Sequence, residues 1–146
     1  MAAPPLIYVL NGPNLNLLGL REPEIYGTDT LDDIADRLQD RARALKVTLD
    51  IRQSNHEGHL IDWLQEARLK GAKAVILNAG GFSHSSVALH DAVKAIGVPV
   101  IEVHLSNPQA REGFRRRSLV AAVARGTITG MGAMGYELAL DAAVRL

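Results

Sequence analysis

Short apolar runs alternate with longer segments of helical periodicity along this chain, and that alternation constrains the fold more than any other feature. Apolar runs of this length predict strands, and the segments between them predict the helices that connect the strands of a parallel sheet. The predicted strands are Leu6–Leu10, Val47–Gln53, Ala74–Asn78, Val98–His104 and Thr127–Met131.

Helical segments are predicted between these strands. From Leu31 to Leu45 apolar residues recur at helical spacing, and either Asp29 or Thr30 can cap the helix N-terminus. Three further helices are predicted near Gly58–Lys70, from Ser85 or Ser86 to Gly97, and near Tyr136–Val144. The stretch from Leu105 to Ala124 has no clear period, and we expect a loop with one irregular helix there.

Five strands with intervening helices predict a single α/β domain over residues 1–146. The expected architecture is a flavodoxin-like, doubly wound parallel sheet of strand order 2-1-3-4-5. In such sheets ligands bind beyond the carboxyl ends of the strands, beside the point between strands 1 and 3 where the order reverses. A site is therefore expected at the loops that begin at Asn11, Asn78 and His104.

Composition excludes several classes of function. The 16 Lys and Arg residues balance 16 Asp and Glu residues, which argues against general affinity for nucleic acid or an anionic membrane. The absence of Cys excludes disulfides and thiolate metal sites and fits a reducing compartment. No apolar run approaches the roughly 18 residues of a membrane span, and the N-terminus lacks the basic region of a signal peptide. We expect a soluble, cytoplasmic protein.

The loop after the first strand, NGPNLNLLGLREPEIYG, carries Asn14, Arg21 and Tyr26 but no Cys, His or Lys. Polar loops of this length inside compact domains are usually functional. A phenol titrates near pH 10, so it acts as a base at neutral pH only where a cation stabilises its ionised form. Arg21 is five residues from Tyr26 and could supply that cation. The alternative is a connector shaped by Gly and Pro with an exposed Arg.

Two other strand ends carry candidate site residues. NAGGFSHSS, Asn78 to Ser86, combines two glycines with a helix N-terminus, which fits either an anion site or a simple strand-to-helix turn. In EVHLSN the strand period of two places Glu102 and His104 on one side. A carboxylate that orients an imidazole suits a general acid near pH 7, although a structural pair would look similar.

Three motif matches are rejected. GMGAMG, Gly130 to Gly135, has too little chain after it for the acidic residue of a dinucleotide-binding unit, so we interpret it as a tightly packed turn. HEGH, His56 to His59, has its histidines three residues apart, whereas the zinc-protease motif requires four. A phosphorylation receiver would need acidic residues where Asn11 and Asn78 stand. Of the run Arg115–Arg117, at least two side chains are expected to be solvated.

Together NGPNLNLLGLREPEIYG, QSNHEGHLIDWLQEA, NAGGFSHSSVALHDA and EVHLSNPQAREGFRRRS resemble type II 3-dehydroquinate dehydratases over essentially the whole chain. The resemblance implies anti elimination of water from 3-dehydroquinate through an enolate, giving 3-dehydroshikimate, without metal, cofactor or Schiff base. It also implies a flavodoxin-like fold and a dodecamer built from trimers. The pathway would be either aromatic biosynthesis, the shikimate route, or quinate breakdown.

The resemblance also assigns roles by motif. Tyr26 looks like the base, and Arg21 resembles the residue that favours the ionised phenol and stabilises the transition state. His104 resembles the acid that protonates the departing hydroxyl, oriented by Glu102, and Asn14 would hold a water near the enolate oxygen. The residues expected to bind substrate are Asn78 with the amides of Leu105 and Ser106, at the carboxylate, and His84, Arg115 and a neighbouring subunit's Asp91, at the ring hydroxyls.

The chain departs from the family pattern at Leu20, Ser83, Ser85, His90 and Ala122. None of these removes a side chain with an assigned catalytic role, although Leu20 bears on closure of the first loop and His90 on the contact near Asp91.

Two alternatives stay open from sequence: a flavin- or phosphate-binding module on the same fold, and an inactive scaffold. The first loop argues against the former, because phosphate loops of this fold are rich in Ser, Thr and Gly.

Overall fold

A computed structural model of the chain describes residues 3–146, and these form a five-stranded parallel sheet of order β2-β1-β3-β4-β5. The strands are Leu6–Asn11 (β1), Thr48–Gln53 (β2), Ala74–Asn78 (β3), Val100–His104 (β4) and Gly126–Thr129 (β5). The predicted strand order and the flavodoxin-like architecture are confirmed. Every strand begins and ends within two residues of its predicted bounds.

The helices are Pro23–Tyr26 (α1), Leu31–Leu45 (α2), Glu57–Leu69 (α3), Val87–Ile96 (α4) and Met134–Ala143 (α5). Of the two candidate caps for α2, Thr30 is the one used. Its hydroxyl accepts from the amide of Asp33 at 3.1 Å, and the Asp33 carboxylate accepts from the amide of Thr30 at 3.0 Å. This reciprocal capping box satisfies two N–H groups that the helix itself leaves unpaired. None of the helices within residues 3–146 is long and apolar enough to cross a membrane.

Side chains alternate along the strands, so two separate helical layers pack on the two faces of the sheet. In β1, Ile7 and Val9 pack in the layer of α2 and α5, whereas Tyr8 and Leu10 pack in the layer of α3 and α4. All four side chains are fully buried. Burying a large apolar side chain stabilises a fold by roughly 1.5–3 kcal/mol. The apolar strands thereby hold their polar last residues at one fixed edge of the sheet.

One prediction of local structure is wrong. Within residues 105–124 the structure has two single 3₁₀ turns, Pro108–Ala110 and Gly113–Arg115, in place of one irregular helix. Asn107 caps the first turn through its side chain, and Gly113 begins the second. Each turn is only three residues long. His84 ends a separate 3₁₀ turn, Gly80–His84, that precedes α4.

The loops that follow β1 and β3 meet backbone to backbone at Gly12. Its amide donates to the carbonyl of Asn78 at 2.8 Å. A Cβ atom at this position would lie 2.6 Å from the carbonyl oxygen of Ala79, closer than real Cβ atoms approach a backbone oxygen. Glycine is therefore required here by close approach. This contact sets the distance between the two loops at the edge of the sheet.

Candidate active site

A cavity of about 170 Å³ lies at the carboxyl edge of the sheet, and its size suits a small molecule. It lies beside the reversal of strand order, where the fold class places ligands. Nine of the eleven predicted site residues line it: Asn14, Arg21, Tyr26, Asn78, His84, His104, Leu105, Ser106 and Arg115. The other two are Glu102, which lies behind His104, and Asp91.

Tyr26 is the last residue of α1, a helix of one turn bounded by proline and glycine. Pro23 begins the helix, where its missing N–H costs nothing, and Gly27 follows it at φ 83°. Arg21, just before this helix, donates from Nη2 to the phenol oxygen of Tyr26 at 3.2 Å. Its guanidinium carbon also lies 4.5 Å from the ring centroid. The predicted pairing of a cation with the phenol is thus present in the geometry.

Arg111 is a second cation at the same phenol, and the sequence reasoning missed it. Its guanidinium carbon lies 5.2 Å from the Tyr26 ring centroid, and Nη1 is 3.4 Å from the Ser106 hydroxyl. Its Nε is buried and makes no hydrogen bond within the described residues. The usable signal was the position of Arg111 in the polar loop that follows the His104 strand, four residues before Arg115. A negative charge formed on the phenol would lie near two guanidinium groups.

Glu102 and His104 form the predicted carboxylate–imidazole pair at the end of β4. His104 Nε2 donates to Glu102 Oε2 at 2.7 Å, and Glu102 is only 1% exposed. Since Nε2 is held by the carboxylate, Nδ1 is the ring nitrogen left for a ligand. Ser118, which the sequence reasoning also missed, donates to the same carboxylate oxygen at 2.6 Å. The buried carboxylate, held by two donors, thus keeps the imidazole in a fixed orientation.

His84 packs against His104 on the wall of the cavity. The two rings are nearly parallel, at an interplanar angle of 18°, with centroids 6.3 Å apart. His84 Nδ1 is 2.8 Å from the carbonyl oxygen of Arg117, so this nitrogen carries the proton and donates. Nε2 of His84 is therefore the atom available to a ligand hydroxyl.

The edge between β3 and β4 provides donors suited to an anion. Asn78 is 2% exposed and presents an amide to the cavity. Its Oδ1 accepts from the Gly80 amide at 3.2 Å, and its Nδ2 donates to the Tyr136 hydroxyl at 2.9 Å. Within the described loops the amides of Leu105 and Ser106 donate to no other backbone carbonyl. These two amides and the second hydrogen of Asn78 Nδ2 can therefore bind one carboxylate.

Asp91 does not line the described cavity of its own chain. Its side chain is 69% exposed on α4 and pairs with His90, whose Nδ1 is 3.0 Å from Asp91 Oδ1. A role for Asp91 at the site requires a second copy of the chain.

The structure also shows where the rejected motifs and the run Arg115–Arg117 lie. The rings of His56 and His59 contact each other at an interplanar angle of 59°, with centroids 4.8 Å apart, and line no part of the described cavity. Gly130 and Gly132 have left-handed φ values of 83° and 60°, as a tight turn requires. In the run Arg115–Arg117 the last two residues are exposed, which confirms that prediction.

The fold and this cavity agree with comparisons to known proteins. The sequence profile of the family described as Dehydroquinase class II matches residues 5–144. A 3-dehydroquinate dehydratase from Hyphomonas neptunium is 62% identical over 140 residues, which cover 96% of this chain and 93% of that protein. One from Bacillus licheniformis is 60% identical over 137 residues, 94% of each chain.

Two solved structures extend the agreement to three dimensions. The type II dehydroquinase from Butyrivibrio crossotus superposes with a TM-score of 0.95 at 38% identity, covering 97% of this chain and 99% of its own. The type II dehydroquinase from Propionibacterium acnes superposes with a TM-score of 0.93 at 44% identity, covering 100% of this chain and 99% of its own. Matches of this extent, in sequence and in fold, establish that the chain belongs to the class II dehydroquinase family.

Proposed function

We propose that this chain is a 3-dehydroquinate dehydratase, a hydro-lyase that removes water from 3-dehydroquinate by anti elimination through an enolate, giving 3-dehydroshikimate. Membership of the family and identities near 60% to proteins of that name support the activity. The observation that carries the proposal is that one small cavity contains both the Tyr26 phenol, bonded to Arg21, and the His104 imidazole, bonded to Glu102. An elimination needs one base and one acid.

Tyr26 is the proposed base. Its phenolate takes a proton from carbon 2 of the substrate, and the electron pair of that C–H bond becomes the enolate. Arg21 and Arg111 stabilise the phenolate before the transfer by charge and, for Arg21, by a hydrogen bond. A positioned base of this kind contributes roughly 10²- to 10⁴-fold to the rate. Asn14, on the same wall of the cavity, would hold the water that supports the enolate oxygen.

His104 is the proposed acid. It gives the Nδ1 proton to the departing hydroxyl, which leaves as water when the carbon–oxygen bond breaks and the enolate collapses to the conjugated enone. Glu102 fixes the ring through Nε2 and stabilises the imidazolium that carries the proton. Base and acid are contributed by different elements, α1 and β4, so they can act on opposite faces of a bound ring.

The substrate carboxylate is proposed to bind Asn78 and the amides of Leu105 and Ser106, and the ring hydroxyls to bind His84 and Arg115. A neighbouring subunit would supply Asp91. We further propose a cytoplasmic dodecamer built from trimers, in either the shikimate pathway or quinate breakdown. The exposure of Asp91 outside its own cavity supports a site completed by a second chain.

The test is the absorbance of the conjugated enone after addition of 3-dehydroquinate to the purified protein. Tyr26→Phe should retain at most about a hundredth of the wild-type turnover, because it deletes the base alone. Tyr8→Phe is the matched control, since it removes a phenol hydroxyl on the opposite side of the sheet. Activity should survive a chelator and borohydride. No enone from the wild type, or near-normal turnover in Tyr26→Phe, would contradict the proposal.

A further inference from the structure

Tyr136 is fully buried in α5, yet its hydroxyl makes two hydrogen bonds at the catalytic edge of the sheet. It donates to Asn11 Oδ1 at 2.6 Å and accepts from Asn78 Nδ2 at 2.9 Å. Asn11 and Asn78 are paired in register as the last residues of β1 and β3, the two strands at which the order reverses. The phenol therefore bridges the two strand ends from the layer of α2 and α5.

The hydrogen bonds run in one direction from backbone to backbone. Asn11 Nδ2 donates to the carbonyl of Arg52 in β2 at 3.2 Å, which leaves Asn11 Oδ1 as the acceptor for Tyr136. At the other end, Asn78 Oδ1 accepts from the amide of Gly80 at 3.2 Å, which turns Asn78 Nδ2 toward the phenol oxygen. A carbonyl can only accept and an amide N–H can only donate, so both ends enforce the same polarity.

That polarity decides what Asn78 offers a ligand. Asn78 Nδ2 carries two hydrogens. One is donated to Tyr136, and the second can be donated to a ligand in the cavity that Asn78 lines. If the side-chain amide turned over, Oδ1 would lie where an anion binds, and an oxygen acceptor repels a carboxylate. Burial raises the pKa of Tyr136 well above that of an ordinary phenol, although the bond from Asn78 opposes this. The hydroxyl thus stays protonated and keeps its donor to Asn11.

We propose that Tyr136 is a positioning residue for substrate binding: its hydroxyl fixes the Asn78 amide with the nitrogen toward the substrate carboxylate. It touches no substrate atom and takes no part in proton transfer. This inference rests on the proposed function, because it assumes that Asn78 binds the carboxylate. It extends that function by assigning a role to a side chain in the buried helical layer beneath the cavity.

The experiment compares three single-hydroxyl deletions with Asn78→Ala. Tyr136→Phe should raise KM for 3-dehydroquinate roughly fivefold to tenfold, the size expected for one neutral hydrogen bond, with kcat and its pH profile little changed. Tyr26→Phe should instead lower kcat. Tyr8→Phe, in which the lost hydroxyl had bonded Glu66 in the other helical layer, should leave KM unchanged. This split separates positioning from a general loss of stability.

Binding measured by calorimetry supplies a readout other than turnover. The affinity of Tyr136→Phe for 3-dehydroshikimate should fall, whereas its affinity for the methyl ester of that product should stay at the wild-type value, since the ester carries no anion. Equal losses for acid and ester would overturn the inference. If Asn78→Ala raises KM and Tyr136→Phe does not, the inference fails and the proposed function stands. If Asn78→Ala also leaves KM unchanged, the carboxylate assignment fails and the inference falls with it.

A second variant keeps the test decisive if Tyr136→Phe does not fold. Asn11→Ala removes the acceptor that orients the Tyr136 hydroxyl from the other side. It should raise KM in the same direction by a smaller factor and again spare the ester. An unchanged KM in folded Asn11→Ala would then overturn the inference. A wild-type protein without activity on 3-dehydroquinate would overturn the proposed function and, with it, this extension.

Discussion

At the scale of single residues, the two arginines near Tyr26 differ in how they contact it. Arg21 bonds the phenol oxygen and lies over the ring, whereas Arg111 lies near the ring face and the Ser106 hydroxyl. A group bonded directly to the oxygen acts most strongly on the charge that forms there, because the interaction falls with distance. Arg21 is therefore the substitution that separates charge stabilisation from simple binding.

Arg21→Gln should lower turnover sharply at neutral pH, with partial recovery at alkaline pH. A cation bonded to a phenol oxygen favours the phenolate, and alkaline conditions favour it too, so high pH can replace part of what the substitution removes. The measurement is the pH profile of kcat from pH 6 to 10. Arg116→Gln removes an equal charge from an exposed position and is the control. A profile of wild-type shape with a changed KM alone would make Arg21 a binding residue and nothing more.

Sequence reasoning found the residues whose chemistry is visible in a loop and missed those that act from elsewhere. Tyr26 lies in a polar loop after β1, and His104 is a polar residue at the end of an apolar strand, so both stand out in the sequence as candidates for binding or catalysis. Tyr136 stands in an apolar helix and is indistinguishable by pattern from a core aromatic until the fold places its hydroxyl between Asn11 and Asn78. Contacts between residues 58 and 125 positions apart leave no local signal.

At the scale of elements, the predicted helix over Leu31–Leu45 matched the structure because two independent signals agreed. Apolar residues recur at helical spacing, and a capping box stands at the N-terminus. The segment 105–124 has neither signal. The segment instead makes bonds to distant residues, such as the one from Leu119 N to Ser83 O at 2.7 Å, and no periodicity encodes such a bond. Elements determined by local chemistry were predictable, and those held by distant partners were not.

Thr30→Ala should destabilise the fold by about 0.5–2 kcal/mol, the usual cost of losing an N-terminal helix cap. The hydrogen bonds that Asp33 makes with the backbone and the side chain of Thr30 also lower the pKa of the Asp33 carboxyl group. Because a lowered pKa stabilises the fold above the unfolded value, this contribution is lost as pH falls through the acidic range. Urea unfolding at pH 7 and at pH 3 measures both effects. Thr28→Ala, at an exposed position just upstream, is the control, and equal stability of the two variants would contradict the role of the cap.

Tyr8 gives β1 a sensitivity to alkali. Burial, followed by the hydrogen bond to Glu66 at 2.6 Å, raises its pKa to about 12. A raised pKa means that the stabilisation is fully present below pH 10 and is lost as pH rises from 10 toward 12. Tyr8→Phe should therefore make the fall in unfolding free energy across this interval shallower than in the wild type. The unfolding free energies of both proteins, measured across this pH interval at one fixed protein concentration, check this prediction. If the two free energies fall in parallel with pH, the prediction is contradicted.

At the scale of the whole molecule, the proposed role of Asp91 would make the site a property of the assembly. Its side chain is exposed on α4 and lies outside the described cavity of its own chain. If Asp91 completes a neighbour's site, two different inactive chains can complement each other in one oligomer. Light scattering should then find the active species as a dodecamer, and an active monomer would contradict the shared site.

Co-expression of Tyr26→Phe with Asp91→Ala should restore part of the activity that each variant lacks alone. A site with its own Tyr26 intact, in the Asp91→Ala chain, receives an intact Asp91 from a Tyr26→Phe neighbour. Tyr26→Phe with His104→Ala is the control, because both residues line one cavity and every mixed site keeps one defect. No recovery in the test pair would contradict a site shared between chains, and recovery in the control pair would mean that Tyr26 and His104 of one site come from different chains.

The backbone contact at Gly12 limits how this pocket could be redesigned. The spacing between the loops after β1 and β3 is set by main-chain atoms, since even a methyl group at Gly12 would collide with the Ala79 carbonyl. Trimming side chains on those two loops can therefore change the lining of the pocket but cannot bring the loops closer or hold them further apart. An engineer seeking room for a bulkier ring has to find it on the opposite wall, where Pro108 and Arg111 stand on a long connection without regular strands.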